Sequence, residues 1–365
     1  MNPLQRLWDE HKQAVWLDFI ERDLLTGGGL GRLISDDGVR GVTSNPSIFQ
    51  KAIEGGGPYD DAVGALLAAD PEMETMALSE ALAVEDIRHA ADILQPVFSS
   101  SGGEDGYVSL EVSPRLAADT HGTIAEARRL WQTVERSNLM IKVPATAEGI
   151  PAIEQLIADG INVNATLMFS LAHYEAVATA YLRGLEKAAD PTAVASVASF
   201  FVSRVDTMVD AALEAIGSDE ALALRGKAAV ANAKLAYKRF EEIFRGADFS
   251  ALAALGARVQ RPLWASTSAK NPAYSDVVYV EELIGPDTVN TLPVATLEAY
   301  RDHGEPQTTI TEGHDEARAV FSALAAFSID MDQVTSELQE QGVASFAASF
   351  DQLLAALERV RATRV

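Results

Sequence analysis

The sequence predicts an α/β fold: a (β/α)8 TIM barrel with additional helices. Three observations point there. Eight short apolar segments, near residues 14, 41, 107, 139, 162, 196, 263 and 288, have the length and composition of strands. Helical sequence separates most of them, an alternation that belongs to parallel strands joined by helical crossovers. No phosphate-loop fingerprint follows any of the strands, which argues against a doubly wound sheet.

Taken in order, residues 3–12 read as a polar-amphipathic turn or helix, and 14–19 as the first strand. Gly27-Gly-Gly-Leu-Gly31 misses the dinucleotide-loop spacing, because Arg32 or Ile34 stands where the third glycine belongs, and it reads as a flexible turn. Residues 39–49 read as a second strand ending in a turn. Pro46 disfavours helix at Asn45, and Ser47 is placed to cap the next element. After the loop Gly55-Gly-Gly-Pro58, helices are expected near 60–69 and 78–97, then a strand at 107–113 and a helix at about 121–135. The pattern continues with strand 139–144, helix 149–158, strand 162–169, helix 171–188 and strand 196–202. A mostly helical region over 204–256 precedes the last two strands, 262–268 and 288–293. The extra helices thus follow the second and sixth strands. In the tail, Val343, Phe346, Phe350, Leu354 and Leu357 form a stripe at helical spacing. A helix docked on the barrel wall is the simpler reading of that stripe, and a subunit interface the alternative. With no repeat, low-complexity tract or linker, residues 1–365 are expected to form one barrel domain with C-terminal helices packed on it.

Composition narrows the function. The chain has no cysteine, which excludes disulfides, thiolate chemistry and cysteine metal sites and fits a reducing, cytoplasmic setting. Its 29 basic and 53 acidic side chains leave a formal charge of −24, which argues against nucleic acid or anionic membrane as a partner. Any phosphate site must then be a local basic cluster. Asp9, Glu10, His11 and Lys12 interrupt any signal-peptide pattern, and no apolar run approaches the ~20 residues of a membrane span. The six histidines show no metal-ligand spacing, so no metal is expected.

In a barrel enzyme the reacting groups stand at the C-terminal ends of the strands. Polar residues recur there: Asp18, Thr43 to Asn45, Glu111, Lys142, Asn164 and Thr166, Ser199 and Arg204, Ser268 and Lys270. Each has a plain structural reading. Asp18 is suited to cap a helix, Glu111 to pair with Arg115, Asn45 to fix a turn, and Arg204 to pair with Asp206. Their recurrence across one predicted barrel weakens those readings. Lys142 is the sole charge in the apolar run Leu-Met-Ile-Lys-Val-Pro at 139–144, where an ammonium needs a partner or a desolvated neutral form. A neutral amine condenses with a ketone to a Schiff base, whose iminium is an electron sink for breaking or forming the next carbon–carbon bond but one. Asp18 and Glu111 can supply the acid–base steps, with Thr166 holding a water. Arg204, Ser268 and Lys270 can form the basic cluster for a phosphate.

These residues carry a family resemblance. Gly41-Val-Thr-Ser-Asn-Pro-Ser-Ile-Phe49 resembles the first signature of the transaldolases, and Leu139-Met-Ile-Lys-Val-Pro-Ala-Thr-Ala-Glu-Gly-Ile150 their Schiff-base segment. Asn-x-Thr-Leu-x-Phe-Ser at 164–170 and Ser-x-Phe-Val-x-Arg at 199–204 agree in order and spacing. The resemblance covers roughly residues 14–300 and implies a barrel circularly permuted relative to class I aldolases, with its lysine on strand four. The strand count independently places Lys142 there. By resemblance, Lys142 is the nucleophile, Asp18 takes and returns the hydroxyl proton, and Glu111 and Thr166 manage the water of imine formation. Asn45, Asn164 and Ser199 bind the dihydroxyacetone hydroxyls, Phe201 shapes the pocket, and Arg204 and Ser268 bind phosphate. Where many members have a second phosphate-binding arginine, this chain has Lys270, which keeps the charge but loses the planar fork.

The implied reaction moves a dihydroxyacetone unit from sedoheptulose 7-phosphate to glyceraldehyde 3-phosphate, giving erythrose 4-phosphate and fructose 6-phosphate in the non-oxidative pentose phosphate pathway. It needs no cofactor, and the implied protein is a monomer or homodimer. The related fructose-6-phosphate aldolases are an alternative, but they are shorter and have glutamine and tyrosine in place of Glu111 and Phe201. A non-catalytic sugar-phosphate-binding barrel would be expected to have lost Lys142, Asp18 or Glu111, and all three are present.

Overall fold

A computed structural model of the chain describes residues 1–55 and 57–362. Gly56, in the loop expected at 55–58, and residues 363–365 of the expected domain lie outside the described residues. Eight parallel strands close into a barrel in chain order: β1 (Gln13–Leu17), β2 (Gly41–Val42), β3 (Tyr107–Glu111), β4 (Leu139–Pro144), β5 (Val163–Met168), β6 (Ser196–Phe201), β7 (Arg261–Ala265) and β8 (Thr288–Leu292). Every expected strand is present. All residues of β4, β5 and β6 are buried, as parallel strands between a packed interior and a ring of helices must be. The extra helices stand where the sequence puts them. Pro46–Glu54, Pro58–Ala69 and Thr75–Ser100 follow β2, and Ser203–Ile216, Asp219–Leu222, Ala228–Phe244 and Ala247–Ala254 follow β6.

Three local expectations are corrected. The second strand ends at Val42, because Asn45 starts a helix: its side chain accepts a hydrogen bond from the Ile48 amide at 3.0 Å, and Pro46 takes the first helical position. Asn45 is therefore the cap, and Ser47 is inside the helix, its hydroxyl 2.7 Å from that of Ser349. The glycine run is no free turn. Gly28, at φ +70°, joins helix Arg22–Thr26 to helix Gly29–Asp37, which takes in Gly29 and Gly31. The tail stripe lies on helix Met331–Ala362, whose inner face crosses the C-terminal ends of β4 and β5 as well as packing on the outer helices: Gln339 Nε2 donates to the carbonyls of Ala145 and Leu167. Among the described residues no helix is long and apolar enough to cross a membrane.

The two ends of the barrel are built differently. At the N-terminal end the fully buried Asp105 carboxylate accepts from Trp16 Nε1 (3.1 Å), Arg40 Nε (2.8 Å) and Arg261 Nη2 (2.9 Å). Removing one partner of such a buried network strands the others and costs ~3–5 kcal/mol. The C-terminal end holds the conspicuous lysine, and the chain after β4 is cramped there. Gly149 opens helix Gly149–Ala158, donates its amide to Thr146 Oγ1 at 3.0 Å, and leaves no room for a Cβ against the Pro144 carbonyl oxygen. Gly149→Ala is expected to lower stability by ~1–3 kcal/mol, the usual cost of overpacking. Urea unfolding checks this through a lowered midpoint at unchanged slope.

Candidate active site

Strand register assembles the centre. Lys142 on β4 lies level with Glu111 on β3 and Asn164 on β5, so three polar side chains from three strands share one face. Lys142 is 5% exposed, and three neighbours lie around its ammonium. Glu111 Oε2 lies at 3.1 Å, the Ser44 carbonyl accepts from Nζ at 3.2 Å, and the ring centroid of Phe346 lies 5.4 Å away. The partner that the apolar run requires is thus Glu111. Arg115 pairs instead with Asp351. Burial pushes the Glu111 carboxyl up from its ordinary range, the Lys142 charge opposes the rise, and Glu111 Oε1 has no hydrogen-bond partner among the described residues.

Asp18 follows β1, its amide continuing the ladder to the Leu292 carbonyl at 2.8 Å. Its carboxylate accepts from Thr43 Oγ1 at 2.7 Å, and Thr43 lies 2.7 Å from Thr291 Oγ1, so adjoining strand ends hold the acid in one orientation. Burial raises its pKa too, against the pull of Lys142, the Thr43 bond, Arg204 and Lys270. Asp18 therefore lies within electrostatic reach of the lysine and of the two outer cations.

Asn164 and Ser199 form one row. Ser199 Oγ donates to Asn164 Oδ1 at 2.7 Å and Asn164 Nδ2 donates to Ser109 Oγ at 3.0 Å, leaving one amide N–H of Asn164 and the hydroxyl lone pairs of Ser199 unspent. Thr166 Oγ1 is buried with no hydrogen-bond partner among the described residues, an uncommon state for a buried hydroxyl. Asn45 stands apart in one respect: its side-chain oxygen is occupied by the cap to Ile48, so its Nδ2 group is what remains for a ligand.

On the other side, the Arg204 guanidinium lies 5.3 Å from the Phe201 ring centroid. Asp206, its suggested partner, is held by the Ala229 amide and the Tyr279 hydroxyl, and Arg204 has no carboxylate within ion-pair distance among the described residues. Lys270 Nζ donates to Ser268 Oγ at 2.6 Å. Partial burial and the nearby positive charges of Arg204 and Lys51 lower its pKa, while Asp18 raises it. Arg204, Lys51 and Lys270 thus make a local cluster of positive charge in a chain of net charge −24.

Sequence reasoning placed Ser44 among the strand-end polar residues without a partner, and it missed Thr291, Lys51, Gln339 and Phe346 as parts of the site. Lys51 is an exposed lysine on a helix, with no local signal. Phe346 did carry one, as a member of the tail stripe, but periodicity reports burial and not what the buried face covers.

Comparison with known proteins agrees with this geometry. The model of the transaldolase/fructose-6-phosphate aldolase family matches residues 15–357. The chain is 54% identical over 347 residues to a transaldolase of Thiobacillus denitrificans, covering 94% of this chain and 96% of the relative. It is 51% identical over 358 residues to transaldolases of Frankia alni and of Thermobifida fusca, covering in each case 97% of this chain and 96% of the relative. A lysine on the fourth strand of a closed parallel barrel, a family match across nearly the whole length and identities near one half lead to one conclusion: the chain belongs to the transaldolase/fructose-6-phosphate aldolase family.

Proposed function

We propose that this protein is a transaldolase, transferring a dihydroxyacetone unit from sedoheptulose 7-phosphate to glyceraldehyde 3-phosphate through a Schiff base on Lys142. The observation that carries the reading is the buried Lys142–Glu111 contact at 3.1 Å, with an unpaired cationic cluster and Asp18 on the same mouth. Glu111 takes a proton from the ammonium, and the amine adds to the substrate C2 carbonyl. Glu111, with a water held by Thr166, returns a proton to the carbinolamine hydroxyl, which leaves as water and gives the iminium. Asp18 then takes the proton of the C4 hydroxyl. The C3–C4 bond breaks, its electrons neutralise the iminium to an enamine, and the first aldehyde departs. The enamine attacks the acceptor aldehyde, Asp18 returns its proton to the new hydroxyl, and water releases the ketose phosphate. Arg204, Ser268 and Lys270 hold the phosphate, and Asn45, Asn164 and Ser199 bind the hydroxyls of the transferred unit. The absence of cysteine supports a reducing, cytoplasmic setting for this chemistry.

Incubation with fructose 6-phosphate and borohydride is expected to add a dihydroxyacetone-derived mass to the Lys142 peptide, and Lys142→Met to abolish both adduct and transfer. An adduct on another lysine overturns the assignment. Fast cleavage of fructose 6-phosphate without acceptor would favour the aldolase activity instead. Because burial raises the Asp18 carboxyl, the base is lost on acidification earlier than for an ordinary aspartate near pH ~3.9. The acid limb of kcat/KM should lie above that value, and Asp18→Asn should remove the limb along with most of the rate. Lys270→Ala is expected to raise KM for the phosphorylated substrates about tenfold, the value of one charge-assisted hydrogen bond, at nearly constant kcat. Steady-state kinetics with phosphorylated and unphosphorylated acceptors reads that split.

A further inference from the structure

Helix Met331–Ala362 meets the barrel beside the lysine through one face, made by Gln339, Gly342 and Phe346 at helical spacing. Gln339 spends both amide protons on strand-end carbonyls, donating to Ala145 O at 2.9 Å and to Leu167 O at 3.0 Å. Ala145 follows the lysine strand directly, and Leu167 is the neighbour of Thr166. Leu167 has φ +60°, an uncommon backbone for a branched side chain, and the pairing of β5 with β6 shifts register between Ala165 and Met168. A bulge of this kind takes a carbonyl out of the ladder, and Gln339 supplies a donor to it. Gly342 allows the close approach, since a Cβ there would come within 2.9 Å of Leu167 Cδ2. One turn on, the 4%-exposed Phe346 sets its ring centroid 5.4 Å from Lys142 Nζ.

We propose that Phe346 is a specificity-determining residue of this enzyme: its ring roofs one side of the Schiff-base nitrogen and confines water to the side that Glu111 and Thr166 control, and Gln339 is the positioning residue that holds the roof in place. The inference rests on the transaldolase reading above. The three-carbon enamine on Lys142 has two fates. It attacks an aldehyde at C3, which is transfer, or it takes a proton at C3. In the second case water adds to C2 of the iminium, nitrogen gains a proton, the C2–N bond breaks, and free dihydroxyacetone leaves. Only the second fate needs a water at C2 before an acceptor arrives. Glu111 and the Ser44 carbonyl hold two sides of the nitrogen, and the Phe346 ring occupies a third with an apolar face. That face also attracts a cationic nitrogen, which favours the iminium over a hydrated neutral adduct.

The test compares, in the full chain, acceptor-free release of dihydroxyacetone from fructose 6-phosphate with transfer to glyceraldehyde 3-phosphate. Phe346→Ala is expected to raise the release-to-transfer ratio on the order of tenfold, the scale of one lost apolar contact in a pocket. Phe346→Leu, which keeps most of the cover, should stay near the parent. Gln339→Leu should also raise the ratio and lower kcat while KM for the phosphorylated donor holds, and it reads the same quantity if Phe346→Ala fails to fold. Borohydride trapping of Lys142 accompanies every variant. An unchanged ratio in folded, fully trappable variants overturns the roof. So does loss of trapping confined to the variants, because the ring would then serve imine formation itself. Absence of trapping in the parent would overturn the transaldolase reading instead.

Discussion

A buried ammonium against a buried carboxylate is the constraint on which the rest of this structure depends. Lys142 and Glu111 sit 3.1 Å apart, both side chains almost wholly buried, and neither charge is tolerable there alone. Removing such ions from water costs several kcal/mol each, and only close, fixed geometry returns most of it. The fixing is done by strands. Register sets Glu111 level with Lys142, and β-pairing leaves these side chains little freedom to drift. A second acid, Asp18, stands within electrostatic reach and raises the pKa of Glu111 further. Burial leaves both acids holding protons more readily than ordinary carboxylates do, against the pull of the lysine they share.

The charges at the mouth run in a sequence. Lys142 is paired and buried, Asp18 feels both sides, and Arg204 and Lys270, without an ion-paired carboxylate among the described residues, act on it from the other side. In a chain with a net charge of −24, these side chains make a local positive field at the mouth. Lys270 makes the field with a point charge tied to Ser268, where a guanidinium would have offered two parallel donors.

Cohesion is supplied elsewhere. The Asp105 network of Trp16, Arg40 and Arg261 closes the opposite end of the barrel, and no residue of it reaches the mouth. The division obeys the general logic of these barrels, with stability at the N-terminal face and chemistry at the C-terminal one. It leaves the strand ends free to carry an unpartnered Thr166 hydroxyl and a left-handed Leu167, features that a purely structural end would not retain.

Sequence by itself determined the eight strands, their parallel order and the placement of Lys142 on the fourth, because burial on both faces writes a short continuous apolar run that local reading detects. It also marked Asp18, Glu111, Thr166, Arg204 and Lys270 as polar residues at the right ends of their strands. Where two local uses competed, sequence could not choose. Asn45 was legible as a turn residue but not as the cap that spends its oxygen on Ile48, and Gly29 and Gly31 gave no sign that their run continues as helix. Tertiary structure alone decided the partners. That Glu111 takes Lys142 and not Arg115, that Thr43 orients Asp18, and that Phe346 and Gln339 arrive at the lysine from some two hundred residues away along the chain are facts of closure. Periodicity reports which face of an element is buried; only the packed barrel determines what that face is buried against.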